Sequence, residues 1–431
     1  MSSRTRVLVI AEAANPEWVS VPLVGWSLAD ALREVADVHI VTQVRNRDAF
    51  LRRGLVEDRD FTAIDSEAVA RPLWKLASAL RMGESKGWTT VQALSALSYP
   101  YFERLVWQRF SEQIKQGVFD IVHRVTPLSP TIASPIARKC ADAHIPFVLG
   151  PLNGGVPWPP GFDAERRRER ELLSYIRNLY KIMPGRNQCL ASSSAILTGS
   201  QHTRGEIPSR FRDRCVYLPE NAVDTTRFSL RANHDEPLLR ACFIGRMVPY
   251  KGPDMLIEAA RPLLASGRME LEMIGDGPLR PQLERAVDDA GLRDAVTFHG
   301  WMAHGDVQTV ASRCSLFAFP SIREFGGGAV LEAMALELAP LVVDYAGPGE
   351  LVTPQTGFKV DLGRRAEIVA RFRSELERLA ASPDKVRAAG ERARERVHEH
   401  FTWQRKAEQV LKVYAWVLGQ APKPAFFTEH G

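Results

Sequence analysis

The sequence predicts an α/β protein made of two domains, each a doubly wound parallel sheet, and three observations carry that expectation. Short apolar runs alternate with helix-length segments almost throughout the 431 residues. The runs are continuous in Val, Ile and Leu rather than alternating apolar with polar, which implies strands covered on both faces. The alternation stops once, in the polar, turn-rich stretch PENAVDTTRFSLRANHDEP from Pro219 to Pro237, and then restarts. The length agrees, being about twice what one hydrophobic core usually holds together.

In the first half the runs that read as strands are RVLVIA from Arg6, DVHIVT from Asp37, FDIVHRV from Phe119, PFVLG from Pro146 and AILTGS from Ala195. Helical stretches such as Pro22 to Val35 and Pro130 to Asp142 lie between them. After the linker come LLRACFIG, a helix from Pro253 to Ala265, MELEMIG, a helix from Pro278 to Ala290, VTFHG, a short helix, LFAFPS, a helix from Gly328, LVVDYA and GFKVDL. The Ala, Glu and Arg content from Arg364 to Leu418 predicts helix, divided at Pro383. The expected organisation is an N-terminal domain over 1–218, a linker over 219–237, a second domain over 238–400, and a C-terminal helix and tail over 401–431 that packs back on the first domain. Ligands of open parallel sheets bind beyond the carboxyl ends of the strands, so two such domains are expected to face each other across a ligand-binding crevice.

Composition narrows the function classes. At 45% hydrophobic and 25% charged residues the chain is neither wholly disordered nor collagen-like. No window approaches the roughly 18 to 20 apolar residues that span a bilayer, and the opening apolar run breaks at Glu12, so neither a transmembrane segment nor a secretion signal is expected. The five cysteines, Cys140, Cys189, Cys215, Cys242 and Cys314, form no C-x-x-C pair, which argues against structural zinc and disulfides and fits a reducing cytoplasm.

Charge is uneven along the chain. Through Glu220 there are 29 Lys+Arg against 23 Asp+Glu, and beyond it 27 against 28, so the two parts carry +6 and −1. The first part is therefore suited to something anionic, though no zinc-finger spacing, aromatic RNA-binding signature or long basic tail points to nucleic acid. From Arg71 to Gly117 no strand is expected, only helix, with Trp74, Trp88, Tyr99, Tyr101, Phe102 and Trp107 among Lys75, Arg81, Lys86, Arg104 and Arg109. Such a helix either packs its aromatics on a sheet or lies on an anionic membrane, and the basic run ERRRERELLSYIRNLYK poses the same choice.

Two clusters carry chemistry. In CFIGRMVPYKG, residues 242–252, Arg246 leaves a strand's carboxyl end and Lys251 precedes a helix, so two cations and a helix amino end converge as a diphosphate requires. In REFGGGAVLEAMA, residues 323–335, three glycines between a strand and a helix allow a ligand close to the backbone. Glu324 and Glu332 bracket that loop, placed to accept hydrogen bonds from sugar hydroxyls and from a ribose diol. The alternatives are surface cations on a loop and a glycine turn between solvated glutamates.

These residues make the stretch from Ala241 to Val360 resemble the donor domain of glycosyltransferase family 4, the retaining, nucleotide-sugar-dependent transferases of GT-B fold. The matching segments are GRMVPYKGPDMLIEA, LEMIGDGPLRPQLE, VTFHGWM, FPSIREFGGGAVLEAMA and AGPGELVTPQTGF, with ENAVDTTRF similar to the family's Asn-Gly-Val-Asp linker but with Ala222 in place of glycine. The resemblance implies that Gly245, Arg246 and Lys251 serve the diphosphate, Glu332 the ribose, and Glu324 with the amides of Phe325, Gly326 and Gly327 the sugar hydroxyls. Arg246, Lys251 and Glu324 would then also carry the catalysis. The family's paired glycines after the first strand are absent; VPLVGWSLADAL is similar to a variant that makes Gly25 the candidate for close approach to the ligand.

The family's catalytic-site histidine falls two residues beyond His123, where this chain has Val125, so His123 stands as a catalytic candidate with a packed strand-end residue as the alternative. Glu337 occupies a position where the family has glycine; if that helix ends left-handed, the glutamate carries a cost of about 1 kcal/mol. Two motifs are discounted. IGDGPL lacks the third glycine of a dinucleotide fingerprint. Asp58-Arg59-Asp60 spells a metal-binding Asp-x-Asp, but Arg246 and Lys251 already neutralise a diphosphate, so no metal and no cofactor are expected. The implied activity is retaining transfer from a UDP- or GDP-sugar to an acceptor sugar or a lipid-linked sugar, with peripheral contact at an anionic membrane among the expectations. A GT-B epimerase, a phosphorylase and a non-catalytic nucleotide-sugar-binding subunit are the alternatives.

Overall fold

The structure, a computed structural model, describes residues 4–72, 88–163, 185–234 and 238–427, with the backbone alone over 88–97. It divides into two units. The first comprises Met1–Gly155, Arg170–Glu220 and Trp403–Gly431, and the second Val156–Glu169 and Asn221–Thr402.

The first unit holds a parallel sheet of strands β1 (Arg6–Ala11), β2 (Asp37–Gln43), β3 (Phe61–Ile64), β4 (Ile121–Thr126), β5 (Phe147–Leu152), β6 (Ala195–Thr198) and β7 (Cys215–Tyr217), in the order β3-β2-β1-β4-β5-β6-β7. The continuous apolar runs are explained by the two cores they serve. Val7, Val9 and Ala11 of β1 point into one core, with the helices Val21–Val35 and Trp403–Val417 packed over it; Leu8 and Ile10 point into the other, under the helices Trp88–Lys115 and Pro135–Asp142. Successive strand side chains alternate faces, so a sheet with two dry faces favours apolar residues at successive positions and requires partners for any polar one. The two strands the sequence reading passes over, β3 and β7, are four and three residues long, too short for a pattern to stand out.

The helix Trp88–Lys115 turns its described aromatics inward. Tyr99, Phe102 and Phe110 are buried in the second core, and Trp107 packs partly against it with Lys115 and Lys139 over its ring. Glu103 on the same helix is buried; it accepts from the Tyr99 hydroxyl (2.8 Å), the Ser134 hydroxyl and the Ile136 amide (3.0 Å), so it caps the helix Pro135–Asp142. Arg104 and Arg109 stay exposed. Trp74, Lys75, Arg81, Lys86 and the basic run at 165–181 lie outside the described residues, as does the side chain of Trp88.

The second unit repeats the design with β8 (Leu239–Ile244), β9 (Met269–Ile274), β10 (Val296–Gly300), β11 (Leu316–Phe319), β12 (Ala339–Val343) and β13 (Phe358–Val360), ordered β10-β9-β8-β11-β12-β13 and all parallel. The linker stretch is tied to this unit by backbone bonds, Val223 N–H to the Phe401 carbonyl (2.8 Å) and Ala232 N–H to that of Leu336 (2.7 Å). So is the segment from Val156, which sequence assigns to the first domain. Arg323 donates to the Val156 carbonyl (3.2 Å), Tyr345 to that of Pro157 (2.9 Å), and the Trp158 ring meets Tyr250 edge-on. GGVPWPPG has no periodicity, and only these long-range contacts assign it.

Candidate functional site

The second sheet reverses its winding between β8 and β11, and open α/β sheets bind ligands beyond the carboxyl ends of the strands at such a point. The loops leaving these two strands are 245–252 and 320–327. After β8 the chain passes Gly245 and the exposed Arg246 and makes a single turn at Pro249–Lys251. It then enters the helix Pro253–Ala265 through Gly252, whose φ of 70° suits only glycine well. After β11 it reaches the helix Gly328–Ala335 through Gly327, at φ 61°. Ile322 N–H donates to the Tyr250 carbonyl (2.9 Å), which joins the two loops.

Two of the candidate side chains meet. Lys251 Nζ lies 3.0 Å from Glu324 Oε2, with the two side chains only 16% and 20% exposed. The ammonium also lies over the Phe319 ring, 5.4 Å from its centroid. Burial, the largest single influence, lowers the affinity of Lys251 for its proton, but Glu324, Tyr250 and Glu332 together outweigh it and leave the pKa raised. Lys251 is therefore a firmly held cation. Gly245, at φ 149°, lies against Lys251, a Cβ there falling 3.4 Å from Nζ. Among the described residues Arg246 makes no ion pair, and the amides of Phe325, Gly326 and Gly327 donate to no backbone carbonyl. Two cations, a carboxylate and free amides at a helix amino end are what a diphosphate and a hydroxylated ring need.

The neighbouring motifs brace these loops. A Cβ on Gly275 would strike the Gly245 carbonyl, and one on Gly277 would lie 2.5 Å from that of Met247. Met247 N–H meanwhile donates to the Asp276 carbonyl (2.8 Å). The glycines of IGDGPL thus allow two loops to touch. Gly347 of AGPGEL allows the Phe325 carbonyl equally close, and its amide reaches the Glu324 carbonyl (3.3 Å).

Glu332 lies one turn into its helix, and its Oε1 accepts from His304 Nε2 at 2.7 Å. Sequence reasoning missed this histidine, since nothing in the spacing of WMAHGD, after β10, ties it to a residue 28 positions on. Arg323 was also passed over; its guanidinium lies between the Trp158 and Phe325 rings, 5.1 and 5.2 Å from their centroids.

Two further candidates lie in the first unit. His123 is fully buried within β4, its Nδ1 2.6 Å from the Tyr414 hydroxyl and its Nε2 2.6 Å from the Gly150 carbonyl. The carbonyl can only accept, so Nε2 carries the proton and Nδ1 accepts from tyrosine. Burial, partly countered by Gly150, lowers its pKa to about 4. This neutral, doubly bonded ring ties β4 to β5 and to the last helix, the arrangement that the packed alternative describes. At Gly25, the space left by the missing Cβ is taken by the Ala13 carbonyl and the Thr126 methyl, so close protein packing already demands glycine there.

The discounted Asp58 and Asp60 belong to a turn. Asp58 has φ 62° and pairs with Arg109 at 3.5 Å, and Asp60 accepts from the Val56 amide (2.7 Å) and from Arg59. Glu337 has the expected left-handed backbone, φ 71°, and its carboxylate lies 3.7 to 4.0 Å from Arg231, His234 and Arg394.

Residues 223–396, which contain Arg246, Lys251, His304, Glu324 and Glu332, match the protein family described as Glycosyl transferases group 1. The second unit is a group 1 glycosyl transferase domain. This group 1 domain is joined to the first unit in a GT-B fold of two Rossmann-like units. A glycosyltransferase from Rickettsia africae superposes with a TM-score of 0.61 over 98% of this chain and 100% of its own at 14% identity; Anabaena HepE, solved in complex with UDP, does so at 0.61 over 95% and 100% at 15% identity. Among curated relatives, the D-inositol 3-phosphate glycosyltransferase of Gordonia bronchialis is 30% identical over 237 residues, 52% of this chain and 50% of the relative. The alpha-D-kanosaminyltransferase of Streptomyces kanamyceticus is 28% identical over 221 residues, 49% of this chain and 56% of the relative. The chain thus spans about half the length of the curated relatives it matches.

Proposed function

We propose that this protein is a retaining glycosyltransferase that moves a sugar from a nucleoside diphosphate sugar, with UDP or GDP as the carrier, to an acceptor hydroxyl. The observation that carries the proposal is the Lys251–Glu324 pair at 3.0 Å, formed between the two loops that also hold Arg246, without an ion pair among the described residues, and the amides of Phe325, Gly326 and Gly327. As the sugar–phosphate bond breaks, negative charge grows on the diphosphate. Cations held in place before the reaction lower the energy of that state at no cost of reorganisation. Glu324 is the acceptor for sugar hydroxyls, and Glu332 for the ribose. No side chain is assigned as a nucleophile, so the acceptor attacks the same face that the diphosphate leaves, and the leaving phosphate takes its proton. Arg246 and Lys251 replace the metal in this scheme. Relatives named as a D-inositol 3-phosphate glycosyltransferase and a 2-deoxystreptamine glucosyltransferase, and one named for colanic acid biosynthesis, support a hydroxylated acceptor.

Incubation with labelled UDP- and GDP-sugars tests the reading. Slow hydrolysis of one donor, unaffected by EDTA, is expected. Interconversion of sugars would instead indicate an epimerase, binding without turnover a subunit that only holds the donor, and loss of activity on chelation a metal requirement.

A lipid-linked acceptor at an anionic membrane surface is the second part of the proposal. The +6 charge of the first 220 residues and a relative named as a phosphatidylinositol monomannoside mannosyltransferase support it. No described helix is long and apolar enough to cross a membrane. Each basic residue near such a surface contributes about 1 kcal/mol, giving reversible attachment. Sedimentation with phosphatidylglycerol vesicles, lost at a few hundred millimolar salt, is the expected result; no binding at low salt would refute it.

A further inference from the structure

The pair His304–Glu332 sits at the position assigned to the ribose and is held from several sides. His304 Nε2 donates to Glu332 Oε1 at 2.7 Å, the Phe228 ring packs edge-on against the imidazole at 5.2 Å, and the side chains are 37% and 20% exposed. The charged groups that face the imidazole are Glu332 from the helix Gly328–Ala335 and Asp224 and Arg227 from the segment that precedes Phe228. The other ring nitrogen, Nδ1, is buried and has no hydrogen-bond partner among the described residues. A carboxylate held by one histidine N–H keeps its second oxygen and its remaining lone pairs for a ligand.

We infer that His304 is a positioning residue for Glu332, aligning the carboxylate for the ribose diol through Nε2–H and, when protonated, adding a positive charge that strengthens binding of the anionic nucleotide. The inference rests on the nucleotide-sugar reading above and deepens it. The hydrogen bond to Glu332 raises the imidazole's pKa, burial lowers it, and the charge of Glu332 raises it further, so the net shift is upward. The sign follows. The imidazolium is complete well below the usual histidine range and is lost as pH rises through the raised value. Nucleotide affinity therefore falls across that window while the Nε2–H bond itself persists.

Calorimetric titration of UDP-glucose and GDP-mannose between pH 5.5 and 8.5 tests this, because neither diphosphate diester titrates in that range. For whichever donor binds, wild type is expected to lose about fivefold in affinity from the acid to the alkaline end. His304→Gln, whose amide can still donate to Glu332, is expected to bind with no such slope, and His304→Ala to bind about tenfold more weakly at pH 6. Separately, the His304 ring proton followed by NMR in the ligand-free protein is expected to titrate lower in Glu332→Gln than in wild type. A wild type that binds neither donor would bring down the nucleotide-sugar reading itself. A wild type that binds while His304→Gln keeps the same pH slope would overturn only the role of His304, as would an unmoved His304 titration in Glu332→Gln. Circular dichroism of each variant separates these outcomes from misfolding, and His304→Gln serves if His304→Ala does not fold.

Discussion

Replacing Lys251 with alanine separates what the site contributes to stability from what it contributes to chemistry. The ammonium is 3.0 Å from Glu324 and over the Phe319 ring, with 16% of its side chain exposed and 20% of its partner's. Exposed pairs contribute at most about 1 kcal/mol, whereas breaking a fully buried pair costs about 3–5 kcal/mol. Glu324 keeps enough contact with water to recover part of its hydration, so the cost in folding lies near the lower end, about 1–2 kcal/mol. For a unit of this size that lowers the Tm by roughly 2–8 °C. The cost in the transition state is larger, because one of two cations opposite the departing diphosphate is gone: about 2–4 kcal/mol, or roughly 30- to 1000-fold in rate. Donor hydrolysis at saturating sugar nucleotide, with a thermal melt on the same sample, measures both. A variant that melts lower yet works within threefold of wild type would show that Lys251 is a structural ion-pair partner and would refute the catalytic argument.

Other substitutions probe the remaining assignments. Glu332→Gln removes a charged acceptor from the ribose and is expected to weaken UDP or GDP binding by about tenfold; unchanged affinity for both would remove Glu332 from the site. His123→Phe leaves the buried Tyr414 hydroxyl and Gly150 carbonyl without their partner, so a loss of about 1–3 kcal/mol in stability is expected with turnover of the folded fraction retained, measured by denaturant titration beside activity per folded molecule. Lys406 is fully buried against the Pro219 carbonyl, and burial, partly offset by Glu220, lowers its pKa to about 7. The unfolded chain then binds the extra proton between about pH 7 and the ordinary lysine value, so stability should rise with pH across that window, by as much as about 1.4 kcal/mol per unit. Lys406→Met should flatten that part of the melting profile, and a wild-type slope retained in the variant would exclude this lysine as its source.

Local pattern was enough for most of the fold. RVLVIA and the IVT of DVHIVT announce parallel strands because a sheet dry on both faces favours apolar side chains at successive positions, and that signal survives without knowing what covers it. The helix Pro253–Ala265 is bounded by Gly252 and a following turn, and Glu337 could be expected at positive φ, because chain direction at a helix end depends on a few adjacent residues. Lys251 and Glu324 were each legible as candidates from their loops, but that they pair was not, because it depends on β8 and β11 lying side by side in the sheet.

Tertiary structure alone decided the rest. The segment from Val156 joins the second unit through Arg323, Tyr345 and Tyr250, although nothing within GGVPWPPG points there. His123, in an apolar strand near its carboxyl end, looked equally like a ligand-facing or a packed residue. The hydroxyl that it meets, that of Tyr414, comes from a helix 291 positions away. His304 and Glu332 are joined only because the loop after β10 and the helix after β11 converge beyond the carboxyl edge of one sheet. Periodicity reports which face of an element is dry, since that is set by neighbours in the chain. Which polar group meets another across the fold is set by where distant loops come to rest, and spacing carries no record of that.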